Sequence, residues 1–408
     1  MSRTLIKGGC ILSLDARVGN HLEADVLIED GRIAEVGPGL RARDAEVIDA
    51  SDSIVMPGFV DAHRHVLDSL FRASGDLPEA DAALAQFSPD DVYAATLIGL
   101  LGAAEAGITT VLDWVELDGA ALEAALQAHA DAGLRTVVVP AARDTQRGGE
   151  DLPLRTWGVA ATLDPADLER ARALAAPDAR RIHAHAVGSG SVAAAGAALG
   201  DDVTLVHCSG LDETDFDTIA SKRVGVVLAP SSEMARGMEP PRVQSLLDRD
   251  VRPGLGVDSE RIAPGDIFAP MRATISLQHA THFDLKLAGK GGLPNLLTTR
   301  EVLRYATIAG AYVVGLGEVT GSLTPGKQAD VIVLDTDRPN IHPINDPIGA
   351  VVWGMDTSNL EWVFVGGRPL MREGELQGDL GRAGRLAVEA RDRVAEATGL
   401  TVGVGGER

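Results

Sequence analysis

Pro57-Gly58-Phe59-Val60-Asp61-Ala62-His63-Arg64-His65 is the stretch on which the reading of this chain turns. Phe59–His63 is a short, mostly apolar run without alternation, the pattern of a strand buried on both faces. Residues i and i+2 of a strand share a side, so His63 and His65 aim the same way. By the same alternation Arg64 points elsewhere, which suits a structural salt bridge.

Seven further runs of this kind follow: Thr109–Trp114, Thr136–Pro140, Gly158–Thr162, Arg181–Ala186, Val203–Cys208, Val224–Pro230 and Pro253–Asp258. Helical segments such as Gly119–Gly133 and Pro165–Ala175 separate them, the latter opened by the start signal Asp164-Pro165-Ala166-Asp167. Eight alternations in about 260 residues is the arithmetic of a (β/α)₈ TIM barrel, an α/β fold. A doubly wound open sheet is the second reading. The glycines of Gly254-Leu255-Gly256 do not continue into GxGxxG, so a dinucleotide site has little support.

Both ends of the chain are β-rich. Thr4–Leu14, Asp25–Glu29, Arg32–Val36 and Ala45–Asp49 read as strands, with an Asp-Gly hairpin signal at Asp30-Gly31. Ala329–Leu334, Ile348–Val352 and Glu361–Val365 read likewise. Arg382–Thr398 is rich in alanine and charge and reads as an exposed helix packed on one face.

The 408 residues are 45% apolar and 24% charged, enough for a large core and incompatible with global disorder or a small disulfide scaffold. A net charge of −22 with 3% aromatics supplies neither a basic face nor a stacking surface, so no nucleic-acid partner is expected. The charge itself reads as solubility. Cys10 and Cys208 form no CxxC pair, which suits a reducing compartment. The apolar run Ala94–Leu112 is interrupted by Glu105 and glycines, so it reads as a buried helix and strand and not as a membrane span. No signal peptide is evident. A soluble cytoplasmic protein acting on a small molecule, without a membrane partner and assembled as a homo-oligomer (dimer or tetramer), is expected.

His63, His65, His183, His185, His207 and Asp258 fall at the carboxyl ends of predicted strands, the rim where barrel active sites are built. One histidine in such a place is ordinary. This concurrence points to a metal, and nitrogen with oxygen ligands suits zinc, iron or manganese. His21, His129, His279, His282 and His342 sit on predicted helices or loops and read as ordinary hydrogen-bonded residues.

Residues 57–65 resemble the first-strand signature PGxxDxHxH of the amidohydrolase superfamily. Ile182-His183-Ala184-His185, Leu205-Val206-His207-Cys208 and Gly254-Leu255-Gly256-Val257-Asp258-Ser259 are similar to its strands five, six and eight. Leu323–Leu334 resembles its return into a small β domain. The nearest branch is that of the cytosine deaminases and triazine hydrolases. The resemblance implies a barrel over 57–320, a β-sandwich built from 1–56 and 321–375, and a helical tail over 376–408. It implies one divalent transition metal, zinc before iron or manganese, held by His63, His65, His185 and Asp258. His207 would contact the metal or polarise the substrate. Binuclear relatives use a strand-four lysine, and none of the five lysines lies there.

A divalent cation lowers the pKa of bound water towards about 7. Asp258 is placed to take that proton and pass it to a leaving amine, and His207 to donate to the developing charge. The activity implied is hydrolysis of a non-peptide C–N bond, foremost deamination of a small nitrogen heterocycle. Ring opening of a cyclic amide or dechlorination are the alternatives within the class. A lyase or isomerase, or a non-catalytic metal-binding protein, are the alternatives outside it.

Two departures bear on mechanism. The branch carries a proton-shuttling glutamate three residues after the strand-five histidine, where this chain has Gly188. After strand seven, where the family more often has asparagine, it has Glu233, a candidate replacement. Trp114, Arg143 and Asp144, following strands two and three, and Arg72 and Asp68 in the loop Leu67–Gln86 are candidate pocket residues. His183 shares the inward side of His185 and is a candidate substrate or supporting contact.

Overall fold

The computed structural model describes residues 3–75, 82–140 and 151–399. β1 (Arg3–Leu12), β2 (Asn20–Glu29), β3 (Arg32–Gly37), β4 (Glu46–Asp49) and β5 (Ser53–Pro57) open the chain. β15 (Val331–Asp335), β16 (Leu360–Val365), β17 (Arg368–Arg372) and β18 (Glu375–Leu376) lie towards its other end. They form one nine-stranded sheet in the order β18-β17-β16-β15-β5-β1-β2-β3, with β4 on β1. β5 is the seam, parallel to β1 and antiparallel to β15. The sequence reading missed this strand because all five residues are buried and show no alternation.

Between these ends run parallel strands. β6 (Phe59–Arg64), β7 (Ile108–Val115), β8 (Arg135–Pro140) and β9 (Arg155–Trp157) form one sheet. β10 (Val159–Ala160), β11 (Ile182–Val187), β12 (Val203–Ser209), β13 (Gly225–Leu228) and β14 (Gly254–Leu255) form another. Where the sequence predicts a strand over Gly158–Thr162, the structure has β9 ending at Trp157 and β10 spanning Val159–Ala160, with Gly158 between them. A Cβ there would stand 2.8 Å from Val139 and 3.0 Å from the His183 ring, so only glycine allows the approach. Its N–H still donates to the Val138 carbonyl at 2.9 Å, and that of Val159 donates to Arg181 at 2.9 Å. On the far side, Arg64 and Asp258 form a parallel bridge.

The strands read as unalternating because both faces are buried. One set, including Val60, Ala62, Leu112, Val137, Val139, Val206 and Val227, packs on itself with Ala311 and Val313. The alternate set, including Phe59, Ile108, Val111, Ile182, Leu205 and Val226, packs under helices. Those helices start where the side chains dictate. Ser88 and Asp91 form a reciprocal cap on Pro89–Glu105, and Asp164 accepts from the N–H groups of Ala166 and Asp167. The tail helix Leu380–Thr398 buries Ala383, Ala390, Val394 and Ala395 and ties Arg393 to Asp91. Among the described residues no helix is long and apolar enough to cross a membrane.

The expected strand Ile348–Val352 is instead helical, within Pro347–Gly349 and Ala350–Gly354. Asp346 accepts from the Ile348 N–H and Pro347 fixes the first turn, which overrides the β preference of the valines.

Arg135 at the start of β8 grips Asp330 just before β15, Nε–Oδ2 at 2.6 Å and Nη2–Oδ1 at 3.0 Å, with both side chains buried. Asp330 also accepts from the Gly366 N–H at 2.7 Å. Removing one partner strands a buried charge. Asp330→Ala is therefore expected to cost about 3–5 kcal/mol of unfolding free energy in a urea titration. Arg135→Met with Asp330→Leu should cost less than either single change.

Candidate metal centre

Four imidazoles and one carboxylate meet at the carboxyl ends of these strands. β6 delivers His63 and, just beyond its end, His65; β11 delivers His185; β12 delivers His207; Asp258 follows β14. His63 Nε2 lies 3.3 Å from His185 Nε2 and 3.6 Å from Asp258 Oδ1, and His65 Nε2 lies 3.5 Å from that oxygen. The sets His63/His65/His185 and His63/His207/Asp258 each hold their ligand atoms within 4.8 Å of one another. Two nitrogens bound at about 2.0–2.1 Å to a tetrahedral cation stand roughly 3.3–3.4 Å apart. The spacing and the donor types therefore fit one divalent metal.

Burial prepares these donors. Desolvation pushes His63 down to about 4 and His185 down to about 2, so both keep free lone pairs at neutral pH. Burial opposes ionisation of Asp258, yet the hydrogen bond and charge of His63, with His65 and His207 nearby, hold it well below the usual carboxylate range. The backbone is strained here too: His207 (φ 72°), Cys208 (φ 53°) and Asp258 (φ 65°) are non-glycine residues in the left-handed region. Asp258 is locked by its N–H to His63 O at 2.9 Å and by its carbonyl, which accepts from His65 N–H at 2.8 Å.

Glu233 is fully buried behind His207. Its Oε1 meets His207 Nδ1 at 3.0 Å and accepts from Ala229 N–H at 2.9 Å. Burial lowers His207 and raises Glu233; for His207 the contact with Glu233 wins, and its pKa is raised. Glu233 thus orients an imidazole from behind and does not reach over the site as a free shuttle.

Arg64 turns away from the imidazoles into a buried network, with Asp61 at 3.1 Å and Glu260 at 2.9 Å. Burial opposes it, but Arg64 and Arg72 bring Glu260 down to about 2. Ser69 donates to Glu260, and Ser259 to Asp68. Asp61 also accepts from the Val257 N–H at 3.0 Å, tying β6 to the end of β14.

The candidate pocket residues divide. The Trp114 ring lies 4.5 Å from that of His185 and 6.0 Å from that of His63, a wall of the site. Arg72 is not free for substrate: Glu260 and the Ile98 carbonyl hold it. His183 is wholly buried against Gly158, with neither ring nitrogen hydrogen-bonded among the described residues, so it does not line the mouth. The cause is the two-residue step down β11, which moves it from rim to interior. Arg143 and Asp144 lie outside the described residues. Gly188 has φ 92° and open space about it. Ser232, which donates to Asp258, and Arg236, 3.6 Å from Asp258, were not singled out from the sequence. Ser232 adjoins Glu233, but no residue pattern marks Arg236.

Of the other histidines, His129 pairs with buried Asp113 at 2.9 Å, and His21, His279 and His282 contact backbone carbonyls.

The model of the Amidohydrolase family matches residues 54–187 and 166–370. The chain belongs to the amidohydrolase family, enzymes that hydrolyse C–N bonds. Over 91% of its length it is 29% identical to a 5′-deoxyadenosine deaminase of Methanosarcina mazei, covering 94% of that protein. It is 28% identical to a 5-methylthioadenosine/S-adenosylhomocysteine deaminase of Pelotomaculum thermopropionicum, again over 91% of this chain and 94% of the relative. Among solved structures, a zinc-bound adenosine deaminase of Xanthomonas campestris superposes with TM-score 0.83 at 22% identity, over 97% of this chain and 99% of that one. An atrazine chlorohydrolase of Arthrobacter aurescens gives 0.82 at 18%, over 95% of this chain and all of that one. These neighbours bear on the fold alone, a TIM-barrel-like α/β architecture.

His63→Ala and His65→Ala are expected to abolish bound metal, measured by elemental analysis, while circular dichroism stays unchanged. Glu233→Gln should weaken metal affinity or activity by about 10- to 100-fold through the orientation of His207. Unchanged metal content in both histidine variants would refute the ligand set.

Proposed function

We propose that this protein is a zinc-dependent hydrolytic deaminase of a small nitrogen heterocycle, of the adenosine type. The observation that carries this reading is the convergence of His63, His65, His185 and His207 on the Asp258 carboxylate at one rim. The names of the relatives supply the substrate type. The same reading takes the eight parallel strand positions of 57–320 as a closed barrel. It takes 1–56 and 321–375 as the two parts of a β-sandwich, and 376–408 as a helical tail. Unpaired Cys10 and Cys208 support a reducing, cytoplasmic setting.

His63, His65, His185 and Asp258 would hold the metal, which when bound supplies Lewis acidity and makes water nucleophilic at neutral pH. Asp258, kept ionised, accepts the proton of the attacking water through one oxygen while Ser232 steadies the other. It then passes that proton to the departing amine, so that water and the amino compound become the oxo compound and ammonia. Glu233 holds His207 by Nδ1, leaving Nε2 to serve the ring nitrogen or developing negative charge. Trp114 supplies an apolar face for the heterocycle.

Gly188 favours a second reading. With no carboxylate on strand five, ring opening of a cyclic amide or dechlorination needs one proton donor fewer than ring-nitrogen shuttling does.

Ammonia release from 5′-deoxyadenosine, 5′-methylthioadenosine and adenosine by the zinc-loaded protein is the test. Asp258→Asn should remove turnover while retaining much of the metal, and His207→Ala should lower kcat by about 10²-fold or more. No ammonia from any aminated heterocycle, with hydrolysis of cyclic amides or chlorinated heterocycles in its place, would replace deamination by the second reading.

A further inference from the structure

We propose that Arg236 is a specificity-determining residue and that it reads a carboxylate on the substrate. The proposal rests on the catalytic reading of the site given above and adds the substrate's charge to it. Arg236 closes the short helix Pro230–Ala235 after β13, so the turn that carries Ser232 and Glu233 also carries this cation. Its Nε stands 3.6 Å from Asp258 Oδ2, and its side chain remains 32% exposed. No described residue accepts a hydrogen bond from its terminal nitrogens. Of the two carboxylates three residues away along the segment, Glu233 is engaged with His207, and Glu239 lies towards Gly210, where a Cβ would be 3.5 Å from Glu239 Oε2.

The buried arginines contrast with it. At this rim Arg64 is taken by Asp61 and Glu260, and at the opposite end of the strands Arg135 is taken by Asp330. A guanidinium whose planar fork is unused among the described residues, beside the proposed reacting centre, matches a planar carboxylate in bidentate fashion. A phosphate dianion asks for more positive charge than a single arginine supplies. The chain as a whole is strongly acidic, at −22, so an anionic substrate meets no general attraction and depends on a local cation. Exposed Val187 on β11 and Met234 beside Arg236 add apolar surface at the same rim. The substrate class that follows is a flat nitrogen heterocycle bearing a carboxylate near the amino group or on its substituent.

The zinc-loaded protein is assayed for ammonia with 5′-deoxyadenosine, adenosine 5′-carboxylic acid and adenosine 5′-monophosphate. The carboxylate is expected to show the lowest KM. Arg236→Gln should raise that KM by about ten- to a hundredfold and cost the neutral 5′-deoxyadenosine less, so that the preference for the carboxylate over the neutral substrate falls at least about tenfold. Arg236→Lys should restore part of the difference. Equal losses on the neutral and anionic substrates would overturn the proposal and make Arg236 a support for Asp258. A preference for the phosphate would overturn the choice of anion. If no nucleoside is deaminated, the functional reading fails separately, and calorimetric binding of purine-6-carboxylate against purine decides Arg236. A tenfold advantage of the carboxylate that Arg236→Gln removes supports the proposal, and an advantage unchanged in the variant refutes it.

Discussion

The backbone pairing of Asp258 with the end of β6 is the constraint on which the site depends. Asp258 gives its N–H to His63 and takes that of His65, so the last strand position of the parallel series is stitched between two candidate ligands of the first. Nearly two hundred residues of chain separate these partners, and every βα unit between them must have its proper length for the stitch to form. The left-handed backbone at Asp258 is the local cost, of order 1–3 kcal/mol. What offsets it is a surrounding structure that leaves the residue no other conformation: Asp61 on the Val257 N–H, Ser232 on the Asp258 carboxylate, and Arg64 clamped between Asp61 and Glu260.

That clamp explains why a fully buried arginine stands between two metal-ligand candidates. A lone guanidinium in an apolar interior would cost several kcal/mol, but here two carboxylates share it. The charge balance is local, so the network need not add net stability. Its effect is geometric: it joins the first rim segment, through Ser69, Asp68 and Arg72, to the segment after Asp258, through Ser259 and Glu260. Substituting Arg64 would disturb the candidate metal site without touching a candidate ligand, a consequence of strand alternation and not of proximity alone.

Much of this was legible because the relevant signals are local. Unalternating apolar runs marked the buried parallel strands, and polar groups at their carboxyl ends marked the rim. Asp164 and Pro165 marked a helix start that the structure shows. The failures also have local causes. Ile348, Val351 and Val352 favour a strand, and the cap from Asp346 and the turn at Pro347 start a helix there instead. Gly158 stands between β9 and β10 because of what lies opposite it, Val139 and His183, which no sequence window contains. His183 and His185 look equivalent along the chain and differ by one step of depth. Arg72 is marked in the sequence as a pocket candidate and Arg236 by nothing, yet a buried glutamate holds Arg72 and not Arg236. Depth and pairing are properties of the assembled rim, so single-residue roles were the least legible part.

Glu233 shows how such a role can shift without a change of chemistry. Read as a residue after strand seven, it is a carboxylate free to replace the missing group at position 188. In the fold it is fully buried and faces the back of an imidazole. A carboxylate so placed cannot visit the substrate, but it fixes which histidine nitrogen faces forward and favours the protonated ring. Gly188 is meanwhile held at φ 92°, a conformation that disfavours any side chain. Restoring a glutamate there would require a change of backbone as well as of residue. In the proposed mechanism proton handling therefore rests on the Glu233–His207 pair and Asp258, with no carboxylate at position 188.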